Sequence, residues 1–565
     1  TTLFRSGILL FLTNILNLEL KELVHHIINK INVNDLFLNK CSLRKCVPNP
    51  LEKNFPFCRT DQSQNTLYNL LLLILRNVSN NNLYLSLVEN LNEYHKLGFW
   101  KTRNVRNWEL EYRDLQKGKY VGLKNMTATC YLNSIIQQLF MIPMFRETIL
   151  KISNPSKSNV LYELQLLFAS LKIYEFAFYD PRSFVVINKL NFYEQMDADE
   201  FYGTLIDRIE NDIKQIYYKP TPGDTPEKND TPKSSKNDSY KYKEIFNYFF
   251  GIKVLDELKF VDCGHKRYNE FFYYNIQLEI KNVNNIHDSL KNYFKTEIMD
   301  GENKINCEQC KIKRTCHKHL IFKSLPNILV IALKRFEFDY NTMLKYKLNS
   351  YFEFPHKLDM KNYLIENHIE KNTEYELTGI TIHYGIADSG HYYDLIKGPD
   401  KKWYKFNDIF VTEFKEEDIP KEAFGEKEIS EEDSTKEKER IKNNAYILIY
   451  KKKNFEECID NKIRNDLAIP PFSKYSNINE VLKNEINLKL YQEWTLKNIT
   501  SISYQGFVLS LIKMDLDKYL DKNGKNRKGE NSSINSFKIF LFAIRYYFCV
   551  LLRISRKSQN KMKNN

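Results

Sequence analysis

Cys130 opens a segment whose residue types suit nucleophilic chemistry. Downstream of it, apolar residues fall at Leu132, Ile135, Ile136 and Leu139, the spacing of one helical face. Thr129 is the expected N-cap. A cysteine in the first turn of a helix meets unpaired N–H groups and the positive end of the helix dipole, and both favour a thiolate. By itself such a cysteine is more often structural, so the reading depends on partners. They come from far along the chain. Ile382-His383-Tyr384-Gly385 leads through a glycine-containing turn to Ser389-Gly390-His391-Tyr392-Tyr393, with His391 opening a second strand. Trp403 to Phe406 then delivers Asn407 and Asp408, an amide and a carboxylate. The chain order is thiol, imidazole, orienting group. Those are the parts of a relay in which His391 takes the thiol proton and Asn407 or Asp408 holds the ring.

The elements that must position these groups can be read in outline. Residues 1 to about 115 are helix-like, with apolar spacing at Leu67 to Leu75 and Leu83 to Leu91 around the turn signal Ser79-Asn80-Asn81-Asn82. From about 120 to 452 helical patterns come first, up to about 215. Strand patterns follow at Leu329–Leu333, Leu377–His383, His391–Lys397, Trp403–Phe406 and Ala445–Tyr450. Two polar, charged stretches, Lys219–Lys241 and Lys415–Lys442, have too little apolar surface to order themselves and read as disordered or flexible insertions. Residues 453–565 are again helical in pattern, with a polar break at Lys522–Ser533. Helices followed by helix plus sheet mark the central zone as α+β.

Composition narrows the classes. The chain has 565 residues, which suggests three or four domain-sized units, and 42% of them are hydrophobic, enough for large cores. The formal net charge is +13, but the lysines are scattered among acids. A nucleic-acid binder would concentrate them on one face, so we expect no nucleic-acid partner. Ten cysteines without a dense framework point to a reducing compartment, the cytoplasm with the nucleus as an additional site. No membrane partner is expected. Gly7 to Leu18 runs on into an amphipathic pattern and reads as a buried helix. Phe537 to Leu552 is shorter than the roughly 20 residues a span needs and is interrupted by Lys538 and Arg545. The chain starts Thr1-Thr2, as expected of a piece of something longer.

The Cys130 and His391 segments together resemble the two signature boxes of the ubiquitin-specific proteases. Cys58-Arg59-Thr60, Gln62-Ser63, Tyr351 to Pro355 and Leu358-Asp359-Met360 extend the likeness to the very large fat-facets-type members. The resemblance implies a papain-like catalytic domain over 120–452 with fingers–palm–thumb architecture, flanked by all-α helical-array segments at 1–115 and 453–565. It implies a deubiquitinating thiol protease that cuts after ubiquitin's C-terminal glycine, with ubiquitin and ubiquitinated proteins as partners and no cofactor in the chemistry. In that likeness Cys130 matches the nucleophile, His391 the base and Asn407 the orienting member, with Asp408 able to share its role. Asn125 matches an oxyanion-hole donor. Gln195 and Asp197, in the run Gln195–Phe201, match the box lining the channel for ubiquitin's tail. Asp197 would meet an arginine of that tail, and Gly390 and Tyr392 join them as substrate-binding candidates. Three departures stand out: Thr127 where the family usually has Gly, Asn407 followed by Asp408 where the third member is often Asp, and Met196 where a polar residue is common. The alternatives are a catalytically weakened ubiquitin-binding scaffold or a helical-array adaptor.

Cys307-Glu308-Gln309-Cys310 is a separate signal, because two thiolates on one turn supply half of a tetrahedral zinc site. The family's fingers bring a second such pair. Here Phe260 takes the place of its first cysteine and Cys263 is retained, so the candidate ligands are Cys263, Cys307 and Cys310. The fourth is open among His265, Cys316, His317 and His319, and metal-free packed fingers are the competing expectation.

Overall fold

The structure, a computed structural model, describes residues 61–77, 87–88, 91, 118–154, 156–217, 245–365, 372–387, 389–426, 443–455 and 478–519. The expectations for Gly7–Leu18, Cys58–Thr60, Ser79–Asn82, Lys219–Lys241, Lys522–Ser533 and Phe537–Leu552 lie outside these residues. Two compact units emerge, Thr1–Leu115 with Lys483–Asn565, and Gln116–Leu482.

In the first unit, helix Asp61–Asn77 contains the Leu67–Leu75 pattern, with Leu67, Leu70, Leu71, Ile74 and Leu75 buried. It packs on helix Ile502–Tyr519, where the Tyr68 ring stacks on Phe507 at 4.8 Å. Among the described residues, no helix is long and apolar enough to cross a membrane.

The second unit is α+β. Its helices Cys130–Phe140, Pro143–Lys151, Val160–Ile173 and Ala198–Tyr217 come first in the chain. An eight-stranded sheet follows. Its order is Phe410–Phe414, Trp403–Asn407, Gly390–Lys397, Glu374–Gly385, Asn443–Lys452, Ile328–Lys334, Ile276–Glu279, with Lys357–Asp359 added on Glu374–Gly385. All its pairings are antiparallel except that between Ile328–Lys334 and Ile276–Glu279. Each of the five strands read from the sequence is present and extends one to three residues beyond an expected end. A second sheet, Lys266–Tyr273, Ile252–Phe260, Cys316–Ser324 and Glu297–Met299, was not read strand by strand. Its Lys266–Tyr273 strand is exposed or half-exposed along its whole length, so no apolar alternation marks it.

The Cys130 helix is buried along all eleven residues, polar ones included. Burial of those amides is eased because the NH₂ group of each finds an acceptor. Gln137 donates from Nε2 to the Val121 carbonyl at 3.0 Å, and Gln138 donates to Asp394 at 3.1 Å. The helix lies against the Gly390–Lys397 strand, whose Leu395 and Ile396 are buried. Arg335 is the other buried anchor. Its guanidinium donates to the carbonyls of Ala445, Leu348 and Ser350, so it holds the root of the Phe336–Asp339/Leu344–Lys347 hairpin. Burial alone draws its pKa down to about 9. Hydrogen bonds from a charged donor contribute about 1.5–3 kcal/mol each, which offsets that desolvation.

The expected insertion Lys415–Lys442 needs correction at its start. Glu416–Asp418 forms a 3-10 turn and Ile419–Ala423 a helix, with Ile419 and Ala423 in the core. Ile419, Ala423 and the following Phe424 dock this turn in the core, although the surrounding charge hid them. Residues 427–442 lie outside the described set.

Candidate active site

Cys130 is the first residue of its helix and is 3% exposed. Thr129 occupies the N-cap position but does not cap. Its hydroxyl accepts instead from the Met126 N–H at 2.9 Å, and no side chain caps the helix. The expected cap is therefore corrected, with a chemical consequence: the N–H groups at the helix start are not blocked by a side-chain cap and remain available to a developing anion. The preceding loop is organised by Asn125. Its Oδ1 accepts from the N–H groups of Thr127 at 3.0 Å and Thr129 at 3.1 Å, while its Nδ2 donates to Asp408 at 3.0 Å. Thr127, in the middle of this loop, has φ +117°. That is a region an unbranched or branched L side chain rarely adopts, and a glycine would enter it freely.

His391 arrives on a hairpin in which Gly385 pairs with Gly390. Gly390 cannot be replaced, since an added Cβ would lie 2.1 Å from the His383 Nε2. His391 Nε2 lies 2.7 Å from Asn407 Oδ1, and the Cys130 thiol is among the groups that act on the ring's charge. With Nε2 engaged by the amide, Nδ1 is the nitrogen left for the thiol. Burial pulls the imidazole's pKa down, but Cys130, Asn407 and the nearby Asp408 charge outweigh it and raise it to about 9. The ring is thus held as an imidazolium at neutral pH.

Asn407 ends one strand and Asp408 begins the tight turn into the next, where Asn407 pairs with Phe410. Asp408 has φ +50°, a left-handed conformation that Asp tolerates in two-residue hairpins. This turn points the two side chains at different targets. Asp408 Oδ2 is 3.9 Å from His391 Nε2, and its carboxylate accepts from Asn125 and from Asn133 at 2.8 Å. Burial raises the Asp408 pKa, and the amides of Asn133 and Asn125 and the His391 charge act against that rise. Asn133 is a site residue that sequence reasoning missed. The signal was available: it lies three positions after Cys130, on a neighbouring helical face.

Gln195 is closer to the chemistry than expected of a tail-channel residue. Its Nε2 donates to Cys130 Sγ at 3.4 Å and to the Gly390 carbonyl at 3.2 Å, and its Oε1 accepts from the Gly390 N–H. Asp197 is committed differently from expectation. Its Oδ1 caps the Ala198–Tyr217 helix through the N–H groups of Asp199 and Glu200, and its Oδ2 accepts from Tyr446. Gln195, Asp197 and Tyr392 nonetheless line one cavity of about 320 Å³ with Phe336, Phe338 and Lys345 of the hairpin. Its wall also includes His383, whose pKa is depressed to about 3 by burial and by Lys347 and His391, so the ring is neutral. The hairpin contribution was not legible, because it depends on the Arg335 anchor rather than on any local motif.

The family model for ubiquitin carboxyl-terminal hydrolase matches residues 121–450. The chain belongs to this family. Among similar proteins are ubiquitin carboxyl-terminal hydrolase puf of Drosophila melanogaster, 29% identical over 72% of this chain, and ubiquitin carboxyl-terminal hydrolase 34 of Homo sapiens, 29% over 82%. Ubiquitin carboxyl-terminal hydrolase 24 of Homo sapiens is 30% identical over 66%. The matched segments are 11%, 13% and 15% of those proteins, so the chain spans little more than a tenth of the length of the curated relatives it matches. They are of the large, fat-facets-type kind that the sequence resembles.

Away from the cavity, Cys263, His265, Cys307 and Cys310 place their ligand atoms within 4.8 Å of one another. Cys263 Sγ lies 3.9 Å from Cys307 Sγ, and His265 Nδ1 lies 3.5 Å from both Cys307 and Cys310. A tetrahedral zinc with ordinary Zn–S and Zn–N bonds has edges of about 3.8 Å between sulfurs and about 3.6 Å between sulfur and nitrogen. The donor set therefore fits a metal ion. Of the four open candidates for the fourth ligand, His265 is the one brought in. Cys316 is buried beside Phe260 in the apolar cluster behind the site.

Proposed function

We propose that this chain is a deubiquitinating cysteine protease that hydrolyses the isopeptide or peptide bond after the C-terminal glycine of ubiquitin. The carrying observation is that Cys130, His391 and Asn407, drawn from a helix start, a strand start and a strand end, meet at one site: Asn407 bonds the His391 ring at 2.7 Å, and Gln195 bonds both the Cys130 thiol and Gly390, the residue before His391. Cys130 attacks the glycine carbonyl. His391 holds the thiol proton and passes it to the leaving amine, then takes a proton from the water that breaks the thioester. Asn407 keeps the ring aimed. The N–H groups at the helix start and the Asn125 amide receive the oxyanion, a preorganised arrangement that contributes about 3–4 kcal/mol per donor in comparable sites. The tail of ubiquitin enters past Gln195, Asp197, Tyr392 and Gly390.

The same reading takes residues 120–452 as the catalytic domain, with the helices before 217 as thumb, the eight-stranded sheet as palm and the four-stranded sheet as fingers. The helical segments on either side serve as array-like flanks. Cys263, His265, Cys307 and Cys310 hold a structural zinc at the tip of the fingers, and no cofactor takes part in the chemistry. Free thiols at all five described cysteines suit the cytoplasm or nucleus. The test is reaction of the purified chain with ubiquitin carrying a C-terminal electrophile. A covalent adduct on Cys130, absent in Cys130→Ala, is expected. An adduct at another cysteine, or none, rejects the assignment.

A further inference from the structure

Asp394 is 1% exposed; it belongs to the strand that carries His391 and faces the helix that carries Cys130. Its Oδ1 accepts from Gln138 Nε2 at 3.1 Å on the helix and from Thr381 Oγ1 at 2.7 Å on the neighbouring strand, and Ser134 of the helix is among the groups that favour the ionised carboxyl. Ser134 is four residues after Cys130, one helical turn along the same face. Gln138 is wedged in place from the other side, since even a Cβ on Gly379 would meet its Oε1 at 2.1 Å. Among the described residues, no Lys, Arg or His pairs with Asp394. The charged group that acts on it is Asp408, which has the same sign. A buried carboxylate without a cation is costly, and a hydroxyl would satisfy these donors without that cost.

We propose that Asp394 is a positioning residue, an anionic clamp that holds the Cys130 helix against the His391 strand at the separation the thiol–imidazole pair requires. This rests on the reading of Cys130 and His391 as the reacting pair. The clamp is also sensitive to pH. Ser134 and Gln138 face the carboxyl from the helix, Thr381 from the Glu374–Gly385 strand, and Phe406 stands opposite in register. All are neutral. Burial first, then Asp408, raises the Asp394 pKa to about 7, against the pull of Thr381, Gln138 and Ser134. An ionised carboxyl accepts more strongly from Gln138 and Thr381, so the clamp is tighter above neutrality.

The test uses the full chain and two readouts: steady-state hydrolysis of a ubiquitin C-terminal fluorogenic amide, and alkylation of Cys130 by iodoacetamide followed by mass spectrometry, which needs no ubiquitin. Asp394→Val should lower kcat tenfold or more with KM within twofold, and should slow alkylation at pH 6–8 by a similar factor. Asp394→Asn, whose amide oxygen still accepts, should stay within about threefold and lose the rise in kcat across pH 7. Hydrolysis absent in the parent would reject the proposed function, while the alkylation arm would still decide the clamp. A folded Asp394→Val with both rates within twofold of the parent overturns the proposal, as does an Asp394→Asn with an unchanged pH profile. If Asp394→Val does not fold, Thr381→Val and Gln138→Met take its place. Each removes one donor and should cost at least threefold in kcat, and no loss from either overturns the clamp.

Discussion

His391 Nε2 and Asn407 Oδ1 are 2.7 Å apart, whereas Asp408, the next residue, keeps its nearer oxygen 3.9 Å from the same nitrogen. One tight turn thus gives two adjacent side chains different tasks. The amide orients the ring, and the carboxylate holds the amides of Asn125 and Asn133.

That division predicts how substitutions separate. Asn407→Ala should lower kcat more than Asp408→Ala, by up to about four orders of magnitude if ring orientation is lost. Asp408→Asn should act through the oxyanion side instead, costing on the order of a hundredfold with a smaller effect on Cys130 alkylation. Steady-state kinetics of both variants decide it. A larger loss from Asp408→Ala in alkylation as well as turnover would assign ring orientation to the carboxylate.

The pH response follows from the raised His391 value. In the proposed reaction protonated His391 is the acid that meets the leaving amine, so kcat/KM should fall as pH rises through about 9. Asn407→Ala should move that limb to lower pH, because the amide carbonyl is one of the groups holding the proton on. For stability the sign is the same. The folded value exceeds the ordinary value of 6.5, so the contribution is full below about pH 6.5 and is lost as pH rises through about 9. An alkaline limb unchanged in Asn407→Ala would rule out this origin.

Thr127 stores strain at φ +117°. Such a conformation costs on the order of 1–3 kcal/mol for a residue with a Cβ, against about 0.5–1 kcal/mol for the entropy that Gly loses. The first is larger, so Thr127→Gly should raise stability by roughly 1 kcal/mol in chemical denaturation, and should tighten the loop that Asn125 organises. Thr127→Val should give no gain. Equal or lower stability of the glycine variant would mean that the loop does not hold this strain.

Metal should couple to the fold of the four-stranded sheet. Purified protein should carry about one zinc per chain, and chelation should lower Tm. His265→Ala should reduce zinc content well below one equivalent, while His319→Ala leaves it intact. Zinc retained in full by His265→Ala would move the fourth ligand elsewhere.

Much of the site was legible because its chemistry is written in short segments. A cysteine before a helical face, a histidine opening a strand after a glycine turn, and an amide ending a strand each announce themselves by residue type and local period. Their order along the chain pointed to a thiol–imidazole relay, and the resemblance of their segments to a known family supplied the reaction. What reads poorly from sequence is contact between segments. Asn133 lies one turn from Cys130, but its partner Asp408 arrives from the turn between the two strands at the edge of the sheet. His265 was one of four candidates until two hairpins folded together and placed its Nδ1 3.5 Å from two sulfurs.

The residue sequence alone picked out the candidate reacting groups, the strands that carry two of them and the α+β order of the central zone, because periodicity and turn chemistry act over a few residues. Only the tertiary structure decided that Thr129 leaves its helix uncapped, that Asp197 caps another, that Ile419 and Ala423 dock a turn hidden in a charged stretch, and that Asp394 is sealed without a cation against the Cys130 helix. Hydrogen-bond satisfaction and burial are properties of the packed chain, set by which segments meet, and local pattern carries no record of that meeting.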